Sequence, residues 1–182
     1  ATLEPPQAGE VLVKVVAAGV CHTDIGVQHI MPMPVVLGHE GSGIVEEVGP
    51  GVTKVAPGDP VVMTFGSCGR CPSCVEGAPS HCHDMRTLQF SGGRFDGSAT
   101  MSQQGEKVNA AFFQQSSFAT HALATERNVV KVTQTDVPLE LLGPLGCGIQ
   151  TGAGAVLNTI KARAGSSIAV MGAGSVGLSG VM

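Results

Sequence analysis

The sequence runs to 182 residues with a formal net charge of −4, 43% hydrophobic residues and 13% charged ones. That supplies a packed core for one domain, or for one domain and part of another, and argues against a disordered chain. Without clustered Lys and Arg there is no electrostatic reason to expect a nucleic-acid partner, and no apolar run approaches the ~20 residues that would call for a membrane.

Glycine is the outlier: 26 copies give a fraction roughly twice the usual ~7%. With 11 prolines and many Val-rich runs, it predicts a turn-rich, mainly β protein with some helix. The opening Ala-Thr-Leu-Glu-Pro-Pro carries neither the basic nor the apolar region of a secretory signal. Both ends read as cut, and the cytoplasm is the expected compartment.

In chain order, Glu10 to Ala17 reads as a Val-rich strand, and Pro32 and Pro34 interrupt the chain before Val35-Val36-Leu37. Gly43 to Val48 and Val61 to Phe65 are further strands, punctuated by Pro50-Gly51 and Pro57-Gly58 turns. Thr87 to Gln115 is rich in Gly, Ser and Gln and reads as an excursion over the surface. Phe118 to Leu123 and Asn128 to Val132 read as the last strands of the β region. Pro138 to Leu142 suits a short helix, Thr151 to Ala162 a longer one, and Ile168 to Met171 a strand entering a glycine-rich turn. A domain boundary is expected near Cys147 to Thr151.

Four of the six cysteines fall in one short loop as Cys68-x2-Cys71-x2-Cys74-x7-Cys82, with Gly69 and Pro72 to turn it. Short Cys-x-x-Cys steps without a secretory signal favour a metal over disulfides, and four thiolates make a closed tetrahedral zinc site. A small disulfide knot, buried free thiols or a zinc ribbon are the alternatives. His81 and His83 flank Cys82 and read as exposed loop residues.

Cys21-His22-Thr23-Asp24, Gly38-His39-Glu40 and Gly146-Cys147-Gly148 can supply a second site. Two thiolates and one imidazole leave a fourth position open, as a catalytic zinc needs.

Together these segments resemble the zinc-containing alcohol dehydrogenases of the medium-chain dehydrogenase family. Gly38-His39-Glu40, with Gly43 and Gly49 following, matches the family signature. Cys-His-Thr-Asp, the four-cysteine lobe and Gly146-Cys147-Gly148-Ile149-Gln150-Thr151-Gly152 fall in the family's order. The resemblance covers essentially the whole chain. It implies a GroES-like β-barrel catalytic domain over residues 1–148 with a structural zinc lobe at 66–84. At 149–182 it implies a linking helix and the opening of a Rossmann-type α/β domain.

The resemblance also implies two zinc ions per chain. Cys21, His39 and Cys147 would hold the catalytic one; Cys68, Cys71, Cys74 and Cys82 would hold the structural one. Glu40 resembles a glutamate that approaches the zinc during ligand exchange, with a plain supporting carboxylate as the other reading. Asp24 resembles the carboxylate that orients the ligand histidine. Thr23 resembles the hydroxyl that takes the alcohol proton, the alcohol being acidified by zinc and its hydride passing to a nicotinamide cofactor. Many family members carry a histidine five residues after the first zinc cysteine, where this chain has Gly26. Water is then the expected proton route, with His29 as the alternative.

Gly172-Ala173-Gly174-Ser175-Val176-Gly177 after a predicted strand has the context of a dinucleotide fingerprint, with Gly172, Gly174 and Gly177 as its glycines. His22 resembles a basic position near the pyrophosphate, and Thr151 and Val176 resemble residues lining the nicotinamide. NAD is the expected cofactor, NADP not being excluded, since the residue that distinguishes them would follow the last one here. Leu88 to Gly93, Phe95 to Ser98, Phe112 to Ala119 and Glu126 to Lys131 resemble the aryl-alcohol (benzyl alcohol) dehydrogenase branch. That implies oxidation of primary aromatic alcohols to aldehydes by a homo-oligomeric parent protein, this chain being inactive alone. Aliphatic alcohols, thiol-aldehyde adducts, or a noncatalytic zinc-stabilised module are the competing readings.

Overall fold

The computed structural model describes residues 1–133 and 136–182. Its elements in order are β1 (Thr2–Leu3), β2 (Glu10–Ala18), α1 (His22–Val27), β3 (Gly41–Val48), β4 (Pro60–Met63), α2 (Pro72–Val75), α3 (Met85–Phe90), β5 (Met101–Gln103), β6 (Glu106–Val108), β7 (His121–Thr125), β8 (Val129–Lys131), α4 (Gly148–Gly154) and α5 (Ser175–Val181). Five antiparallel strands in the order β7-β2-β3-β4-β8 form the main sheet, and β1-β5-β6 form a smaller one.

Alternation explains the main sheet. In β2, Val11 and Val13 are fully buried while Lys14 and Val16 are exposed, the period-2 pattern of a strand with one covered face. Val45, Val61, Met63, Ala122, Ala124 and Val129 complete the core against them. Register shifts between Leu12 and Val13 and between Val15 and Ala17 bend the pairing of β2 with β3. Such bulges curl a sheet, here towards a half-barrel.

The strands expected up to Val132 are present: Gly43–Val48 begins two residues earlier, at Gly41, and Phe118–Leu123 begins later, at His121. The reading of Thr87 to Gln115 as a surface excursion is overturned. That stretch holds most of α3, all of β5 and β6, and buried Leu88, Gln89, Phe112, Gln114 and Gln115. Its polar side chains go inside because the backbone there needs hydrogen-bond partners: Gln89 Nε2 donates to Gly66 O and Gln114 Nε2 to Leu88 O.

After Pro138 the chain makes 3₁₀ turns at Leu139–Leu141 and Gly143–Gly146. The expected long helix starts earlier, at Gly148, and its second half, Ala155–Ile160, widens to π-helix before Lys161 ends it in the left-handed region. Ile168 to Met171 does not form the expected strand. Among the described residues no strand pairs with it, and an unpaired strand leaves its amides and carbonyls without a ladder. No helix of the described residues is long and apolar enough to cross a membrane.

Candidate metal centres and active site

The four-cysteine loop folds onto itself. Gly69 reverses the chain at φ +68, where a Cβ would fall 1.8 Å from the guanidinium carbon of Arg127. Pro72 then opens α2 at the position that needs no amide donor. The sulfurs of Cys68, Cys71, Cys74 and Cys82 come within 4.8 Å of one another. Backbone amides point at them: Cys68 N–H to Cys82 Sγ at 3.3 Å, Cys71 N–H to Cys68 Sγ at 3.4 Å and His83 N–H to Cys71 Sγ at 3.5 Å. The His83 and Cys74 amides pull the Cys71 thiol down to about 6. Cys68 rises to about 11: the Arg70 amide favours its thiolate, but burial and the neighbouring Cys82 and Asp84 outweigh it. Cys71 is drawn towards its thiolate while Cys68 and Cys74 are held towards the thiol, as expected where like charges crowd together. His81 and His83 are exposed and stand outside the four-sulfur group.

The dispersed residues also converge. Cys21 precedes α1, His39 and Glu40 precede β3, and Cys147 precedes α4. Their ligand atoms lie within 4.8 Å of one another, with 4.0 Å between the Cys21 and Cys147 sulfurs. His39 is 1% exposed, and its Nδ1 lies 3.0 Å from Asp24 Oδ1. A carboxylate only accepts, so Nδ1 carries a proton, and in the neutral ring Nε2 is the acceptor. That Nε2 is buried and has no hydrogen-bond partner. An orphaned buried acceptor is costly, and beside two sulfurs and a carboxylate it fits a soft-to-borderline cation such as zinc.

Local charges favour a proton on His39 and on Cys147, so a cation bound here would displace both protons. Burial disfavours the charged forms of Asp24, His39 and Cys21, yet each is stabilised in its charged form. Asp24 is held below the usual carboxylate range by the His39 ring and the Cys21 and Gly38 amides. His39 is raised by Asp24, then by Cys21. Cys21 is lowered by the amide and hydroxyl of Thr23 and by His39. Cys147 is pushed well up, first by burial and then by the negative charge of Cys21 and Glu40. The Thr23 Oγ1 lies 3.6 Å from the Cys21 sulfur.

Glu40 occupies a chamber walled by backbone. A Cβ at Gly19 would fall 2.2 Å from Glu40 Oε2, and one at Gly143 would fall 2.2 Å from the Glu40 carbonyl oxygen. The Gly148 amide donates to Glu40 Oε1 at 3.3 Å.

A cleft of about 690 Å³ opens onto His39 and Cys147, with Phe65, Met85, Phe113 and Thr151 on its walls. The Phe113 ring stacks on the His39 imidazole at 4.5 Å and 25°, and fully buried Phe112 meets it edge-on at 5.4 Å. Of the two neighbouring phenylalanines, Phe112 is core and Phe113 is cleft wall. Phe65, Met85 and His81, which also borders the cleft, escaped sequence reasoning because no spacing ties them to the metal motifs.

The expected cofactor residues are only partly brought together. Gly172 has φ +114, Gly174 precedes α5, and a Cβ at Gly177 would fall 1.9 Å from Gly172 O. These three and Val176 line a separate hollow of about 440 Å³, whereas Thr151 faces the cleft. α5 packs closely on α4: a Cβ at Gly152 would fall 2.0 Å from Val176 O, and one at Gly148 would fall 2.6 Å from Ser175 Oγ. His22 and His29 are exposed, and a Cβ at Gly26 would meet nothing within 4 Å.

Residues 7–134 match the family described as "Alcohol dehydrogenase GroES-like domain". A geraniol dehydrogenase of Castellaniella defragrans is 52% identical over 180 residues, covering 97% of this chain and 48% of that protein. The crystal structure of an alcohol dehydrogenase zinc-binding domain protein from Burkholderia ambifaria superposes with a TM-score of 0.93 at 53% identity, over 98% of this chain and 49% of its own. Benzyl alcohol dehydrogenase from Acinetobacter calcoaceticus gives 0.90 at 52% identity, over 98% of this chain and 48% of its own. The chain spans about half the length of the curated relatives it matches. Fold, motifs and relatives agree: the chain belongs to the medium-chain alcohol dehydrogenase family and carries its GroES-like domain.

Proposed function

We propose that the full-length protein is a zinc-dependent dehydrogenase that oxidises a primary alcohol carrying an unsaturated group, aromatic or allylic, to its aldehyde. The observation that carries this reading is the orphaned, buried Nε2 of His39 beside Cys21, Glu40 and Cys147. Cys21, His39 and Cys147 are the proposed ligands of a catalytic zinc, and the four-cysteine lobe at 66–84 those of a structural one. Residues 1–148 are the proposed catalytic domain and 149–182 the proposed opening of a dinucleotide-binding domain. Bound zinc would supply a Lewis acid that acidifies an alcohol, and bound NAD or NADP would supply the hydride acceptor.

The chain's own residues do the rest. Asp24 keeps the proton on Nδ1 of His39 and thereby holds Nε2 ready for the ion. Thr23 offers the hydroxyl that takes a proton from the alcohol, and with Gly26 in α1 that proton passes on to water. Phe65, Met85 and Phe113 give the substrate flat, apolar walls that exclude water from the reacting end. These walls, and relatives named for geraniol and benzyl alcohol, support the unsaturated class over saturated aliphatic alcohols. Thr151 and the Gly172, Gly174, Val176 and Gly177 hollow are the proposed cofactor contacts, with His22 near the pyrophosphate. A homo-oligomer in the cytoplasm, where thiols stay reduced, completes the proposal.

Elemental analysis under reducing conditions tests it. The full-length protein should hold two zinc ions per chain, Cys21→Ala and Cys71→Ala each removing one. A protein with one zinc, lost only in Cys71→Ala, would leave the dispersed residues without their proposed ion and the dehydrogenase reading without its chemistry.

A further inference from the structure

The loop that lays Phe113 on His39 is conformationally expensive. Phe113, Gln114 and Ser116 have φ of 51°, 56° and 50°, the left-handed region, and none is glycine. Side chains hold it there. Ser116 Oγ accepts the Phe112 N–H at 2.8 Å and donates to Val36 O at 2.6 Å, while Asn128 Nδ2 donates to Gln114 O at 3.0 Å.

Gln115, with no exposed surface, reaches the metal-site backbone itself. Its Oε1 accepts the Gly41 N–H at 3.1 Å, and its Nε2 donates to His39 O at 3.0 Å and to Thr64 O at 3.1 Å. Thr64 Oγ1 in turn donates to Gly146 O at 2.8 Å, next to Cys147. One amide thus ties together the segment bearing His39 and Glu40, the end of β4, the Phe113 loop and, through Thr64, the segment bearing Cys147. Only a primary amide offers an acceptor and two donors from one side chain; a carboxylate lacks the donors, and an apolar chain lacks everything. Gly41 leaves the room: a Cβ there would fall 3.1 Å from Gln115 Oε1, 2.6 Å from Ser117 Cβ and 2.4 Å from Met63 Cε.

We infer that Gln115 is a positioning residue for the catalytic zinc site, setting where His39 sits relative to Cys147. This rests on the zinc reading proposed above. It acts through backbone, touching neither the ligand atoms nor the substrate.

The test uses the full-length protein with cobalt(II) in place of zinc, its catalytic-site absorption identified as the part missing from Cys21→Ala. Gln115→Met keeps the length and loses all three hydrogen bonds; Gln115→Leu serves the same test should the methionine variant not fold. The cobalt ligand-field bands of the catalytic site should shift, and a chelator should remove that ion roughly 10–100-fold faster, with release from the lobe unchanged. Thr100→Val, which loses a buried hydrogen bond to Ala110 O away from both sites, should lower the melting temperature without moving the bands. A parent protein with no Cys21-dependent signal overturns the metal reading and this assignment with it. A parent signal that loss of Gln115 leaves unmoved, in band position and release rate, overturns this assignment alone.

Discussion

Asp24 gathers three donors on two oxygens: Oδ1 faces the Gly38 amide and His39 Nδ1, and Oδ2 faces the Cys21 amide, each at 3.0 Å. Only a carboxylate can do this from one side chain. In Asp24→Asn the amide oxygen serves one side, and its NH₂ faces a backbone N–H on the other. A buried donor opposite a donor costs about 1–3 kcal/mol. Losing the group that orients a ligand histidine typically costs about 10–100-fold in metal affinity or turnover. We expect Asp24→Asn in the full-length protein to lose zinc to a competing chelator within that range, with kcat/KM falling alongside. Zinc retention at the parent level would mean that Asp24 serves folding alone. At this scale the two clusters of candidate metal donors were legible because thiolate and imidazole chemistry is carried by few residue types. Gln115 was not, since nothing in Phe-Phe-Gln-Gln-Ser-Ser distinguishes an amide folded inward from one facing water.

The same blindness extends to elements. Strands β2, β3 and β4 follow from alternating Val with glycine and proline at the turns, so their positions were readable to within a residue or two. The Gly-rich run 91–100 has no such period, and its burial draws on distant partners, Glu10 foremost. Arg94 donates through Nε to Glu10 Oε1 at 2.7 Å and through an η nitrogen to Oε2 at 3.0 Å, both side chains being nearly enclosed. Another η nitrogen reaches the Ala99 carbonyl, so a single guanidinium fastens this run to the start of β2. Removing one member of a buried pair strands the other charge and costs about 3–5 kcal/mol. Denaturant unfolding of the full-length protein should show that loss for Arg94→Met, with Arg94→Met/Glu10→Gln recovering part of it. Equal stabilities for single and double variants would mean that Glu10 finds another partner.

The molecule as a whole is uneven. The half-barrel has a closed core, whereas Leu157, Ile160, Ile168, Val170, Met171, Val176 and Leu178 near the end of the chain are all 40% exposed or more. Apolar surface gathered in one stretch calls for cover, and the strand expected at Ile168–Met171 has no neighbour to pair with among the described residues. The 182 residues expressed alone should therefore keep the zinc of the lobe but transfer no hydride from benzyl alcohol to NAD or NADP. The full-length protein should do so in the same assay; turnover by the isolated chain would overturn this expectation.

The chamber around Glu40 sets a different kind of limit, one on inheritance. Gly19 and Gly143 wall it with backbone, and any substitution at either can only add atoms. A carboxylate enclosed by side chains could be loosened or tightened by small steps, a methylene at a time. Here the first step from glycine acts at once: at 19 it meets the carboxylate and displaces it, and at 143 it meets the Glu40 main-chain carbonyl, which has no side-chain freedom to yield. In a saturation library of the full-length protein scored for activity, position 143 should tolerate glycine alone, position 19 should admit alanine only with reduced activity, and position 26, open to solvent, should accept many residues.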